Sequence, residues 1–189
     1  MREVRARHLI PLALVAALLG SMPAFAQKNF DFMPTSGKSL FVEVFGAKPD
    51  AATLDEMTAA ARSEAQWSGV LAERNTDLSD KGLRTLAAYL AVNMPLPRDA
   101  LDAAAKAGDI ATALPADGRE LAWTGCQSCH SLFTGYLTQD RNLQGWQNMF
   151  QSPFHRELKM TPQQRDEFSR YSTINMPMKF EDVPEDLRF

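Results

Sequence analysis

The sequence predicts an all-α fold, and three observations carry that prediction. Helix-start signatures recur along the chain, each a capping side chain ahead of an apolar run. No stretch reads as a convincing strand. The chain also repeats itself at offsets between 79 and 82 residues.

The elements follow in order. Ser36 is placed to cap a helix running through Phe45. Thr53 with Glu56 forms a capping pattern ahead of a helix over 54–73, and Ser79 opens another over 80–92. Residues 99–107 read as a linking helix stopped by Gly108, after which "TALPADG" is a loop. Asp117, answered three residues later by Glu120, opens a helix that continues into Leu121, Ala122 and Trp123. Residues 143–151 form a short helix carrying Trp146. The helix over 162–174 has a strong start, with Thr161 as cap and Pro162 in the first turn, where its missing N–H costs nothing.

The repeat is clearest where "YLAVNMP" (Tyr89 to Pro95) meets "YSTINMP" (Tyr171 to Pro177). Upstream, Gly37 pairs with Gly118, Leu40 with Leu121, Trp67 with Trp146 and Leu78 with Met160. Two tandem units repeating at about 82 residues follow, spanning 27–97 and 117–189 and joined by a helix and loop over 98–116. The Asn-Met-Pro at each helix end suits a stop signal: asparagine adopts the left-handed cap, methionine packs back, and proline prevents continuation.

The first 26 residues have the grammar of an export signal. Arg2, Arg5 and Arg7 precede an apolar run from Leu9 to Leu19, and Ala24-Phe25-Ala26 is a small-x-small cleavage pattern. The run is shorter than the roughly 20 apolar residues a spanning helix needs. Cleavage after Ala26 leaves 163 residues with no second hydrophobic span and a net charge near −5. That charge argues against nucleic acid or an anionic membrane surface as partner and favours a mildly basic protein.

Both cysteines of the chain lie in "ELAWTGCQSCHSLF", Glu120 to Phe133. Cys126, Cys129 and His130 stand at i, i+3 and i+4, which on a helix places them on about one face. That pattern meets the needs of covalent haem: two thiols each add to a vinyl group, and the adjacent imidazole stands under the iron. A thioredoxin-like pair belongs at a helix N-terminus within a βαβ unit, and neither is visible here. A four-ligand zinc site would take all three of these and His155, leaving no cysteine or histidine to spare. A plain disulfide between positions 126 and 129 is the simpler alternative for an exported chain. At offset 81, Cys126, Cys129 and His130 fall on Phe45, Lys48 and Pro49, so the first unit carries none of the three.

The motif resembles the attachment site of c-type cytochromes, and the second unit resembles a class I mono-haem cytochrome c. The resemblance covers Cys126, Cys129 and His130 specifically. It implies one covalent haem c, His130 as proximal ligand, assembly on the outer side of a bacterial inner membrane, and electron transfer. It also implies a second axial ligand, usually methionine, some forty to fifty residues after the histidine. Met178 fits that spacing and is replaced by Leu96 in the first unit; Met160 follows, then Met176, then His155. Met149 reads as a core residue beside Trp146 and Phe150. Tyr136, Arg141 and Trp146 have donors suited to haem propionates, although Trp146 is matched by Trp67 in the haemless unit and so reads better as core.

No acid–base pair, nucleophile with its base, or further metal cluster is visible, so the chain is expected to be no enzyme in its own right. The expectation is a periplasmic mono-haem cytochrome, either a soluble carrier or the haem subunit of an exported dehydrogenase, working with a redox protein partner. A haem enzyme or gas sensor with an open sixth position is the alternative. The terminal "KFEDVPEDLRF" is suited either to cover the haem unit or to dock on a partner.

Overall fold

The computed structural model describes residues 30–59, 61–74, 76–127 and 129–188, so the export segment read at 1–26 lies outside the described residues. These residues form helices joined by loops, with no strand among them. The helices are α1 (Gly37–Phe45), α2 (Ala51–Thr58), α3 (Glu64–Glu73), α4 (Asp80–Asn93), α5 (Arg98–Ala107), α6 (Gly118–Cys126), α7 (Leu143–Met149), α8 (Pro153–Arg156) and α9 (Pro162–Asn175). None is long and apolar enough to cross a membrane.

Most helix starts form as the caps dictate. Ser79 accepts from the Gly82 N–H, Asp117 exchanges bonds reciprocally with Glu120, and Thr161 does so with Gln164 ahead of α9. The stretch 54–73, expected as one helix, is two. Asp50 rather than Thr53 caps α2, accepting from the Thr53 N–H, and the reciprocal pair Ser63 and Gln66 starts α3 afresh. Each such cap contributes about 1 kcal/mol, enough to choose where a helix begins. Ser36 precedes α1 but does not cap it with its side chain, because its hydroxyl donates to the Asp117 carboxylate instead.

The Asn-Met-Pro stops also work differently from the expectation. Asn93 and Asn175 are the last helical residues of α4 and α9, and the caps that follow, Met94 and Met176, are extended rather than left-handed. The asparagines are buried and reach across to the other helix. Asn175 Nδ2 donates to the Tyr171 carbonyl and to Thr85 Oγ1, while Asn93 Nδ2 donates to the Tyr89 carbonyl and to Glu167 Oε2.

α4 and α9 pack on each other at the centre of the molecule, and matching helices pack outward from them: α1 and α3 on α4, α6 and α7 on α9. Two apolar clusters result. One lies within residues 40–114 and includes Trp67; the other combines Met33 with residues 121–183 and includes Trp146. The paired positions read from the sequence occupy matching places. Gly37 lies against Tyr89 and Gly118 against Tyr171, both so tightly that a Cβ would collide with the ring's own Cβ and Cγ.

Hydrogen bonds cross between the halves in matching pairs. Tyr89 Oη donates to the Pro115 carbonyl ahead of α6 at 2.9 Å, and Tyr171 Oη donates to the Pro34 carbonyl ahead of α1 at 2.6 Å. Lys38 pairs with Glu120 and Arg170 with Glu64, again across the halves. The segment before α1 is drawn to the second half, where Phe30 and Phe32 pack on Trp123.

α5 does more than link. Its Leu101 and Ala104 are buried in the first cluster, and the Ile110 N–H beyond it donates to the Ala47 carbonyl. The acidic tail packs on the second cluster through Val183, which is 1% exposed, leaving Phe180 largely open to solvent against Phe133.

Candidate functional site

α6 brings the first thiol to the site and stops there: Cys126 is its last residue. Cys129 and His130 therefore stand beyond the helix rather than along its face as the i, i+3, i+4 spacing suggested. The chain turns after Gln127 and re-enters helical form in a wide π-turn over Phe133–Leu137. This turn folds the loop back on itself, so that all three residues of the motif line one cavity of about 310 Å³.

The walls of that cavity are mainly apolar, with Tyr136, Met149, Phe154 and Leu158 contributing. Phe154 is 88% exposed, an unusual state for a phenyl ring at the mouth of such a cavity. Gly135 makes the seat for the His130 imidazole, since a Cβ there would stand on its Cε1 and Nδ1. Gly135→Ala is therefore expected to push the His130 ring out of its place. If the cofactor proposed below is bound, its optical spectrum reports this as loss of the proximal ligand while far-UV circular dichroism stays unchanged.

Across the cavity stands a second imidazole. The His130 and His155 rings are 6.2 Å apart at their centroids with planes 75° apart. His155 is carried by α8, whose single turn starts at Pro153 directly after α7. Burial, then the proximity of His130 and Arg141, hold the His155 pKa below its ordinary value. Burial, then Cys129, push the Cys126 thiol up to about 12, so it is held as the neutral thiol at physiological pH.

The methionines are distributed unlike the ranking read from spacing. Met178, ranked first, lines a different, shallow cleft with Phe32, Pro34 and Lys81, and its N–H donates to the Leu137 carbonyl. Met176 is buried in the second core as Met94 is in the first. Met160 packs its methyl against Gly125 at the edge of the motif helix. Met149, read from sequence as core, and His155, ranked last, are the candidates that line the cavity. No sequence signal placed them there, because both lie close to His130 only through the turn at 133–137 and the α7–α8 corner.

Of the three residues suited to propionates, Tyr136 spends its hydroxyl on Ser172 Oγ at 2.9 Å and is buried. Trp146 is fully buried against Tyr136 and Phe168, and its indole N–H has no partner, as is also true of Trp67. Both tryptophans are buried with an arginine over the ring, Arg62 on Trp67 and Arg141 on Trp146, which makes Trp146 a core residue. Arg141 lies over the Trp146 ring and donates to Gln139.

The matching place in the first half is covered. Phe45 is buried, Lys48 and Pro49 line a cavity of about 280 Å³, and Leu101, Ala104 and Ala105 of α5 form its other wall. Among the described residues, no three His, Cys, Asp or Glu side chains stand close enough together to hold a bare metal ion. The site instead offers two thiols and two facing imidazoles around an apolar space. This donor set fits a haem attached through thioethers, and the glycine seat and exposed phenyl ring fit a flat apolar group. No family model matches the chain, and no curated protein or solved structure matches it significantly.

Proposed function

We propose that this chain is an exported mono-haem c-type cytochrome that transfers single electrons, either as a soluble periplasmic carrier or as the haem subunit of an exported dehydrogenase. The observation that carries this reading is the convergence of Cys126, Cys129 and His130 on one mainly apolar cavity. Haem c held there supplies reversible one-electron ferric–ferrous chemistry.

Cys126 and Cys129 provide the two Sγ atoms. These sulfurs would hold the haem as two thioethers, each S–H adding across a vinyl double bond with its hydrogen passing to the other carbon. His130 Nδ1 lies 3.1 Å from the Ser131 carbonyl, which can only accept, so Nδ1 carries the proton and Nε2 keeps its lone pair for iron. Tyr136, Met149 and Leu158 keep water from the inner side of the site.

The first half, with Phe45, Lys48 and Pro49 at the matching positions and α5 over the space, is read as a haemless repeat kept for its packing on α9 and for partner docking. The partner is a redox protein such as a periplasmic dehydrogenase or another cytochrome. Purified full-length protein is expected to contain one haem per chain by pyridine haemochrome quantitation, resistant to acid–acetone extraction, with one reversible couple in potentiometry. Two haems per chain, or haem released by the extraction, would overturn the reading.

A further inference from the structure

Ser152 sets the direction of a short hydrogen-bond chain beside the cavity. Its Oγ–H donates to the Met149 carbonyl at 3.0 Å, so toward His155 the same oxygen can only accept. His155 Nδ1 lies 2.8 Å from that oxygen. In that arrangement the proton is on His155 Nδ1 and the lone pair is on Nε2.

His130 has the same arrangement, with Nδ1 committed to the Ser131 carbonyl. Two imidazoles thus line one cavity, both with Nδ1 held by an acceptor and both with Nε2 as the nitrogen left for a metal. Orientation of a ligating histidine through its other nitrogen is the usual support such a ligand receives. Of the methionines ranked ahead of His155, Met178 lies in another cleft and Met176 in the core, while Met160 lies beside the cavity with its methyl against Gly125.

We infer that His155 is the second axial ligand of the haem iron, bound through Nε2 on the side opposite His130. This rests on the cytochrome reading above. Ser152 is its positioning residue, and the haem is bis-histidine, with a potential lower than a thioether ligand would set.

The test uses the purified full-length haem protein. The wild type is expected to be low-spin and six-coordinate in both oxidation states, to bind no carbon monoxide, and to lack the sulfur-to-iron charge-transfer band in near-infrared magnetic circular dichroism. His155→Ala is expected to give a high-spin ferrous haem that binds carbon monoxide stoichiometrically, and added imidazole should restore the low-spin spectrum. His155→Met should introduce the sulfur band. A sulfur band in the wild type would overturn the assignment and point to Met149, Met160 or Met178, which Met149→Leu and its counterparts would distinguish. A wild type that is high-spin and binds carbon monoxide would also overturn it, in favour of an open sixth position. With a sulfur band the carrier reading stands; with an open sixth position covalent haem is present but the carrier reading gives way to a haem enzyme or gas sensor; a chain isolated without covalent haem sinks both. If His155→Ala fails to accumulate, the wild-type near-infrared spectrum still decides between imidazole and sulfur.

Discussion

Gly118→Ala is expected to destabilise the protein by about 3 kcal/mol or more. Insertion into a packed interface typically costs about 1–3 kcal/mol when neighbours can shift. Here the obstacle is unusually stiff, because the added methyl would collide with Tyr171 Cβ and lie 2.5 Å from its Cγ and 2.9 Å from its Cδ1. These atoms follow the α9 backbone, so relief requires α6 and α9 to separate. Separation would also stretch the bond from the Gly118 N–H to Glu167 Oε1 and the bond from Tyr171 Oη to the Pro34 carbonyl.

Gly37→Ala meets the same obstacle at Tyr89 and should cost a similar amount. Gly69→Ala is the control: it lies within α3 with nothing near the added methyl, and should stabilise by roughly 0.5–1 kcal/mol through helix propensity. Urea midpoints of the three variants provide the measurement. Neutral behaviour of Gly118→Ala and Gly37→Ala would mean that the two crossings are looser than described.

The second large effect comes from Glu167, a carboxyl only 3% exposed beneath the α4–α9 contact. Burial raises its pKa from the ordinary 4.5 to about 8, against the opposing pull of bonds from the Gly118 N–H and Asn93 Nδ2, with Asp117 and Asp166 adding to the rise. Between pH 4.5 and 8 the folded chain therefore holds a proton that the unfolded chain has released. Stability is fully present below pH 4.5 and is lost as pH rises, at about 1.4 kcal/mol per unit, until the folded group ionises near 8. Denaturant midpoints measured from pH 5 to pH 8 should fall across this range. Glu167→Gln removes the proton, and the slope should disappear whatever constant offset the amide adds. A variant that keeps the wild-type slope would show that another group is responsible.

Glu167 also shows how far sequence pattern reaches. In the α9 sequence it is one of two adjacent acidic residues, next to Asp166, at the position that Thr85 holds in α4. Nothing local marks it as buried. Its burial follows from the crossing of α4 and α9, which places the carboxyl opposite Asn93, just as Thr85 is placed opposite Asn175.

The starts of α4, α6 and α9 were legible because a cap is a local event: a side chain and a backbone N–H three residues on, with little else involved. The 54–73 stretch misled because it holds a second cap: α2 ends at Thr58, and the reciprocal pair Ser63 and Gln66 starts α3 afresh. The Cys-x-x-Cys-His motif was legible as a set of donors and illegible as geometry. Its spacing implies one helix face, yet α6 ends at Cys126 and a turn brings Cys129 and His130 to the cavity.

By itself, the sequence determined the all-helical class, the paired positions from Gly37 and Gly118 to Met94 and Met176, and the two thiols and imidazole of the motif. These rest on interactions between residues a few positions apart, or on direct likeness of one stretch to another. Only the tertiary structure decided that α5 walls the cavity beside Lys48 and Pro49 and that Ser36, Asn93 and Asn175 reach across the halves. It alone set Met178 in another cleft and put His155 across from His130. Such neighbours are chosen by how helices cross and how loops turn back, and distance along the chain carries almost no information about either.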